Sequence, residues 1–269
     1  LLILLYLLLG TIAGIFSGLL GIGGGLIIVP CLLLVFPLVG IPPSVHVAVG
    51  TSLATIIITL CASMNTHLQH SDRQLLWRLG KQFLPGIIIG TLLGAGIAKL
   101  LSGAHLAILF GIIVWLLALR VFLVKNSETE NETRTVEQLL PPKIWLLPIN
   151  VLIASLAAIM GVGGGGFMIT FLQIRKVPMH ISIPIATLMG IPVAILGTIS
   201  YILLGSNDPN LPHWSTGYVY WPAVLGITTM SIFTAPLGAK LAHKLPGKLL
   251  RWIFVLMLVI IGAKMILWS

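Results

Sequence analysis

The chain has 269 residues, 58% of them hydrophobic and 8% charged, with a mean hydropathy of +1.11. That composition excludes a water-soluble globular domain and marks an integral membrane protein. The formal net charge of +9 does not point to nucleic acid, because Lys and Arg gather in short loops between apolar spans, where they orient helices and meet anionic headgroups.

In chain order, apolar segments are predicted at 1–20, 25–39, 44–64, 82–101 and 104–124. A polar stretch, "KNSETENETRTVEQLLPPK" (125–143), then carries four Glu, two Lys and one Arg and reads as a solvated linker. Beyond it come 144–160, 165–177, 180–204, 217–239 and 248–268. Spans of about 20 residues suit a hydrocarbon core roughly 30 Å thick. "GIIIGTLLGAGIAKLL" and "FVLMLVIIGAKMIL" are apolar on all sides, which excludes the alternating strands of a barrel. The predicted fold class is therefore an all-α integral membrane protein. Residues 1–124 are its first transmembrane repeat and 144–269 its second. The opening "LLILLYLLLG" fits a first span better than a cleaved signal peptide. Cys31 and Cys61 are expected to be reduced, buried thiols.

The two halves match when one slides along the other. A shift of 140 lays "GIGGG" (21–25) on "GVGGG" (161–165). One of 136 lays "IPPSVHVAVGT" (41–51) on "VPMHISIPIAT" (177–187), and one of 144 lays "AKLLSG" (98–103) on "AHKLPG" (242–247). Five segments per half is an odd number, so the second copy enters the membrane from the opposite side. Treating a short Gly-bounded hairpin as re-entrant leaves that parity unchanged. The expectation is an inverted repeat of two five-segment halves with short, Gly-broken or re-entrant helices. Charge agrees: "HLQHSDRQLLWRLGK" (67–81) holds Arg73, Arg78 and Lys81, while its counterpart 205–217 has no Lys or Arg. The positive-inside rule then places 67–81, the linker, Arg175, Lys176 and the basic stretch 240–251 in the cytoplasm, with both termini outside.

"GIFSGLLGIGGGLIIVP" followed by "HVAVGTSLATI", with the weaker copies "GVGGGGFMITF" and "PIATLMGIPVAILG", resembles the sulfite exporter TauE/SafE family of membrane transporters over essentially the whole chain. The resemblance implies a secondary transporter or facilitator for sulfur-containing anions such as sulfite and organosulfonates. The second copy departs from the first, with Gly166 in place of Leu26 and Thr170 in place of Pro30, so the halves are expected to contribute unequally.

Segment 25–39 holds about fifteen residues, roughly 22 Å of helix, and 165–177 is shorter still. Short, Gly-interrupted segments at corresponding places in two halves point to a transporter's binding site, since unwound backbone is tolerated only where it lines a cavity. Gly21, Gly23, Gly24 and Gly25, with Gly161, Gly163, Gly164 and Gly165, are therefore candidate substrate-binding residues. Each motif would open a helix N-terminus whose N–H groups can hold an anion. The competing reading is that these glycines serve helix packing alone. Thr51, Ser52 and Thr187 are candidate hydroxyl donors to the same anion, against the alternative that they bond their own helix carbonyls; Ser17 is a weaker candidate.

All six acids (Asp72, Glu128, Glu130, Glu132, Glu137 and Asp208) fall in loops or the linker, which disfavours a cation substrate. His46 and His180 read as interfacial histidines, and Arg120 and Lys264 as snorkelling anchors. Asn65, Asn150 and Gln173 are explained by hydrogen bonds between helices. No Gly-Lys-Ser/Thr follows either Gly cluster, and no nucleophile, base and acid constellation stands out, so neither a P-loop nor an enzyme is expected. No cofactor or metal is expected either. The expected partners are a small anionic substrate and the lipid bilayer, with a homodimer as the assembly. The alternatives to a transporter are an anion-selective channel and a non-transporting membrane assembly subunit.

Overall fold

The structure, a computed structural model, describes residues 2–38, 40–42, 44–69, 71–123 and 136–268. Residues 125–135 of the linker, with Glu128, Glu130 and Glu132, lie outside the described residues, as do the side chains of Arg120 and Lys264. The described chain is almost wholly helical. In its first half run α1 (Leu2–Leu20), α2 (Gly25–Leu38), α3 (Val45–Gln69), α4 (Arg73–Leu100) and α5 (Gly103–Leu123). A one-turn helix, α6 (Val136–Leu139), precedes α7 (Lys143–Met160), α8 (Gly165–Ile174), α9 (Met179–Gly205), α10 (Trp221–Lys244) and α11 (Gly247–Trp268). Strands β1 (Ser215–Thr216) and β2 (Val219–Tyr220) form a small antiparallel hairpin before α10. Among the described residues, six helices are long and apolar enough to cross a membrane, and α2 and α8 are among the shorter apolar ones.

Two helix starts differ from the sequence expectation by four residues or more, each for a local reason, and α3 and α10 end five residues late, at Gln69 and Lys244. α4 starts nine residues early, at Arg73 rather than 82, because Asp72 caps it: Oδ1 accepts from Gln74 N at 2.8 Å and Leu75 N at 3.2 Å. Its opening turns bury Leu76, Leu79 and Phe83 and expose Arg73 and Arg78, so an amphipathic extension continues the apolar span. α10 starts at Trp221 rather than 217 because Gly217, at φ 54°, turns the β1–β2 hairpin.

Helix neighbours come in matched pairs. α1 packs on α10 and α4 on α7; α10 packs on α3 and α4 on α9; α2 lies on α3 and α8 on α9; α5 meets α11. Exchanging α1–α5 for α7–α11 leaves this set unchanged. The direct contacts give direction as well. Gly50 lies by Tyr201, Leu53 by Gly197 and Leu60 by Gly190, so α3 and α9 run antiparallel.

The tightest helix pairs rest on small residues four apart. On α1, Gly10 meets the Ile227 backbone, Gly14 meets Ser231 and Gly18 meets Ala235 and Ala239. On α4, Gly86 meets Asn150 and Leu147, Gly90 meets Val151 and Gly94 meets Ser155. Lacking side chains, these positions let two backbones approach within contact, and Ser155 Oγ donates to Gly90 O at 2.9 Å across the α4–α7 pair.

The polar residues of the apolar segments depart in part from the expected bonds between helices: Asn150 bonds a carbonyl of its own helix, Asn65 is exposed, and only Gln173 reaches a second helix, at Ser182 Oγ. His46 Nε2 is 3.0 Å from Ala98 O and its ring lies on Tyr218, while His180 is exposed. Asn150 is buried and donates to Leu146 O, and Gln173 donates to Val177 O. Neither cysteine forms a disulfide, but the expected burial is corrected: Cys31 is half-buried and Cys61 is exposed. Position 61 falls on the outward face of α3 with Ile58 and Asn65.

Candidate functional site

Two turns of identical design lie between α1 and α2 and between α7 and α8. Gly21, Gly23 and Gly24 have φ of 65°, 73° and 79°; Gly161, Gly163 and Gly164 have 68°, 66° and 79°. This left-handed conformation is open to glycine and costs other L-residues about 1–2 kcal/mol. The motif is thus a required backbone shape. The helices that follow begin at Gly25 and Gly165, and Gly164 supplies no side-chain cap to α8. The first amides of a helix have no acceptor within the helix proper; Gly21 N donates back to Ser17 O and Ile27 N to Gly24 O, while Gly161 N and Val162 N donate to Ala158 O and Ala157 O.

The two turns meet. Gly25 lies against Gly161 O and Val162 Cα, and Gly165 lies against Gly21 O and Ile22 Cα. Every residue from 21 to 25 and from 161 to 165 is buried. Ile56 of α3 fills the centre: its Cγ2 would stand 2.6 Å from a Cβ on Gly23 and 2.8 Å from one on Gly163. Leu60 and Ala194 complete a small apolar cluster with it.

The hydroxyl candidates divide. Ser52 Oγ donates to Gly161 O at 2.8 Å, tying α3 to the second turn. Thr187 Oγ1 donates to Ile183 O and also stands beside Gly21, so the first turn is flanked by a hydroxyl of the second half. Thr51 is turned away, its Oγ1 accepting from Tyr220 N at 2.9 Å. Ser17 occupies a more informative place than its sequence position suggested. Its side chain is wholly buried and its Oγ has no hydrogen-bond partner among the described residues. One turn earlier on the same face, Ala13 lies against Gly24, and the Ser17 carbonyl accepts from Gly21 N at 2.7 Å. An unsatisfied buried hydroxyl costs about 1–3 kcal/mol, and here it lies beside the first Gly turn.

Sequence reasoning missed three contributors. Ile56 carries no polar signal. Tyr201 is buried, and its Oη donates to Ala158 O at 3.1 Å, just before the second turn. The four-residue glycine spacing of α1 and α4 was legible in principle, in "GTIAGIFSG" and "GIIIGTLLG".

At the end of the bundle where α3 and α10 begin, a cavity of about 480 Å³ is lined by residues including Ile41, Asn210, His213, Trp214 and Tyr220. Tyr220, through its amide, links this cavity to Thr51. Beside it, burial pushes the Tyr218 phenol up from its ordinary pKa, and the adjacent Asp208 carboxylate adds to the shift. At the opposite end, Arg78 pairs with Glu137 at 3.0 Å and Arg175 Nε donates to Leu139 O at 2.7 Å, so the basic loops and the end of the linker share one face.

The sulfite exporter TauE/SafE family model matches residues 6–265. A "Probable membrane transporter protein" of Haemophilus influenzae is 37% identical over 268 residues, covering 98% of each chain. Proteins described in the same words from Methanocaldococcus jannaschii and Bacillus subtilis are 28% and 27% identical; the alignments cover 99% and 96% of this chain and 96% and 95% of theirs. No solved structure matches.

Proposed function

Because this chain belongs to the sulfite exporter TauE/SafE family of membrane transporters, we propose that it is a secondary transporter, an exporter of one small sulfur-containing anion such as sulfite or an organosulfonate. The anion sits between the two Gly turns and crosses the cell membrane by alternating access. The observation that carries this reading is the meeting of the turns: two helix N-termini converge on one buried point, and Ser17, whose buried hydroxyl has no partner among the described residues, stands one turn of α1 before the first of them. Amide N–H groups and the positive ends of helices favour an anion without a buried cation. The acids among the described residues fit, since Asp72, Glu137 and Asp208 lie outside the long helices.

An inverted repeat is part of the same proposal. The antiparallel run of α3 and α9 and the matched helix neighbours support it. Arg73, Arg78, Lys81, Arg175 and Lys244 at one end of the bundle favour that end as cytoplasmic. Burial of both turns, with Ile56 between them, favours a carrier caught occluded over an open channel.

Flux into proteoliposomes, measured across sulfite, sulfate, thiosulfate and organosulfonates, tests the reading. A saturable flux stimulated by anion on the far side supports a carrier. Conductance without saturation would replace it with a channel. Neither flux nor ligand-induced thermal stabilisation for any anion would leave an assembly subunit.

A further inference from the structure

One interface of the bundle is polar where its counterpart is not. On α3, Ser52, Thr55, Thr59, Ser63 and Thr66 recur at three- and four-residue intervals, a single face of a helix, and none is more than 7% exposed. α10 supplies Thr228, Ser231 and Thr234, equally buried, and Thr59 Oγ1 lies 3.0 Å from Ser231 Oγ across the interface. Near the Gly turns this seam reaches α1, whose Gly14 meets Ser231 and Thr234. Ser17 stands between that face and the Ala13 face that meets Gly24, and its buried Oγ has no partner among the described residues. The far end is closed by His67, buried, with Nδ1 3.1 Å from His243 Nε2.

The repeat-related positions carry no hydroxyls. Under the shift of 136 that aligns α3 with α9, Thr55, Thr59, Ser63 and Thr66 correspond to Ile191, Ile195, Ile199 and Ile202. Under the shift of 144 that aligns α4 with α10, Thr228, Ser231 and Thr234 correspond to Leu84, Ile87 and Gly90. Of these counterparts Ile87 is buried, Ile191 and Ile202 are half-buried, and Leu84, Ile195 and Ile199 are exposed, so α3 and α10 bury seven hydroxyls where α4 and α9 carry no hydroxyl and turn several apolar side chains outward. A buried hydroxyl is costly unless bonded, and Thr55, Thr59, Ser63, Thr228, Ser231 and Thr234 each donate to a carbonyl of the preceding turn, a bond that rotation of the hydroxyl exchanges for one to a passing anion's oxygen. Rotatable hydroxyls in series give an oxyanion several weak stations and no deep trap, as a permeation route requires.

We propose that the α3–α10 seam is the polar passage through which the anion travels between the Gly turns and the bundle end that carries His67 and His243, with Thr59 and Ser231 as its constriction. The proposal rests on the anion-transport reading above and adds to it a route that only one of the two repeat-related interfaces, α3–α10 and not α4–α9, provides. Single cysteines test it, placed at Thr59, Ser63 or Ser231 and, for comparison, at the buried counterpart Ile87, in protein carrying Cys31→Ser and Cys61→Ser. The reagent is 2-sulfonatoethyl methanethiosulfonate, a membrane-impermeant anion whose sulfenyl sulfur is attacked by the cysteine thiolate with loss of methanesulfinate. Seam cysteines are expected to react about tenfold or more faster than Ile87→Cys, since thiolates form where water reaches them, and sulfite is expected to slow the reaction. Equal rates at seam and comparison positions would overturn the passage, whatever the flux assay gives. Fast labelling that sulfite and organosulfonates leave unchanged would overturn these anions as its traffic. Loss of flux for all anions with seam labelling intact would count against the transport reading and not against a water-accessible seam. If Thr59→Cys fails to fold, Ser63→Cys and Ser231→Cys carry the comparison.

Discussion

Gly25 lies directly against the backbone of Gly161, and the same relation holds between Gly165 and Gly21. Each half of the chain therefore needs glycine in its own turn to accommodate the other half's turn. A Cβ on Gly25 would stand 2.8 Å from Val162 Cα, and one on Gly165 would stand 2.5 Å from Ile22 Cα. Gly25→Ala and Gly165→Ala are expected to lose about 1–3 kcal/mol through overpacking and to lose transport. Gly166→Ala meets Leu26 Cδ1 at 3.4 Å, Phe254 Cζ at 3.6 Å and Ile22 Cγ2 at 4.0 Å, all ordinary side-chain contacts, and is expected to be tolerated. Thermal unfolding in detergent, followed by size exclusion, separates these outcomes. Equal stability in all three would refute the crossed-turn packing.

At Gly164 the constraint is conformational, since its nearest neighbours, Val193 Cγ2 and Ala157 Cβ, are 3.4 and 3.6 Å from a built Cβ. Its φ of 79° is strained for any β-branched residue and milder for Asn. Flux should be abolished by Gly164→Val and partly retained by Gly164→Asn. If both variants transported like the parent, the left-handed turn would have no functional weight.

Ser17→Ala and Ser52→Ala are expected to differ in kind. Removing the Ser17 hydroxyl breaks no bond among the described residues, so stability should hold or rise while the apparent KM for the anion increases about tenfold, the equivalent of 1.4 kcal/mol. Removing Ser52 Oγ strands Gly161 O and should cost about 1 kcal/mol of stability. Paired transport kinetics and thermal shifts make the comparison. A destabilised Ser17→Ala with unchanged KM would assign that hydroxyl to packing.

Ile56→Ala removes the side chain between the turns. Since the cluster around it is small, with Leu60 and Ala194, the vacated space is expected to admit water and to convert saturable exchange into a leak. Stopped-flow efflux without counter-anion reads this directly, and unchanged coupling would show that the plug lies off the route.

Orientation is tested from the surface. Cysteines at the exposed positions Gln74 and Asn210, in a background lacking Cys31 and Cys61, should respond oppositely to an impermeant maleimide added to whole cells. Asn210→Cys should label and Gln74→Cys should not. Labelling of both would remove the assignment of the Arg78, Glu137 and Arg175 face to the cytoplasm.

Much of this molecule is determined by local sequence. The apolar segments fix where most helices begin and end to within a few residues, because a backbone in hydrocarbon must satisfy its own hydrogen bonds within the segment. The early start of α4 and the late start of α10 were set by one capping Asp and one turning Gly, and α3 and α10 run five residues past their apolar segments, to Gln69 and Lys244. The glycine turns were also legible, as residues that alone adopt a positive φ at no steric cost. Rotation about each helix axis was not. Helices apolar on every side carry no face that says which neighbour they meet, so nothing local pairs Ser52 with Gly161, Gly14 with Ser231, or His67 with His243. Those contacts join residues more than a hundred positions apart. Close packing of the two halves sets them, and it also turns Thr51 to the Tyr220 amide and leaves the Ser17 hydroxyl buried without a partner among the described residues.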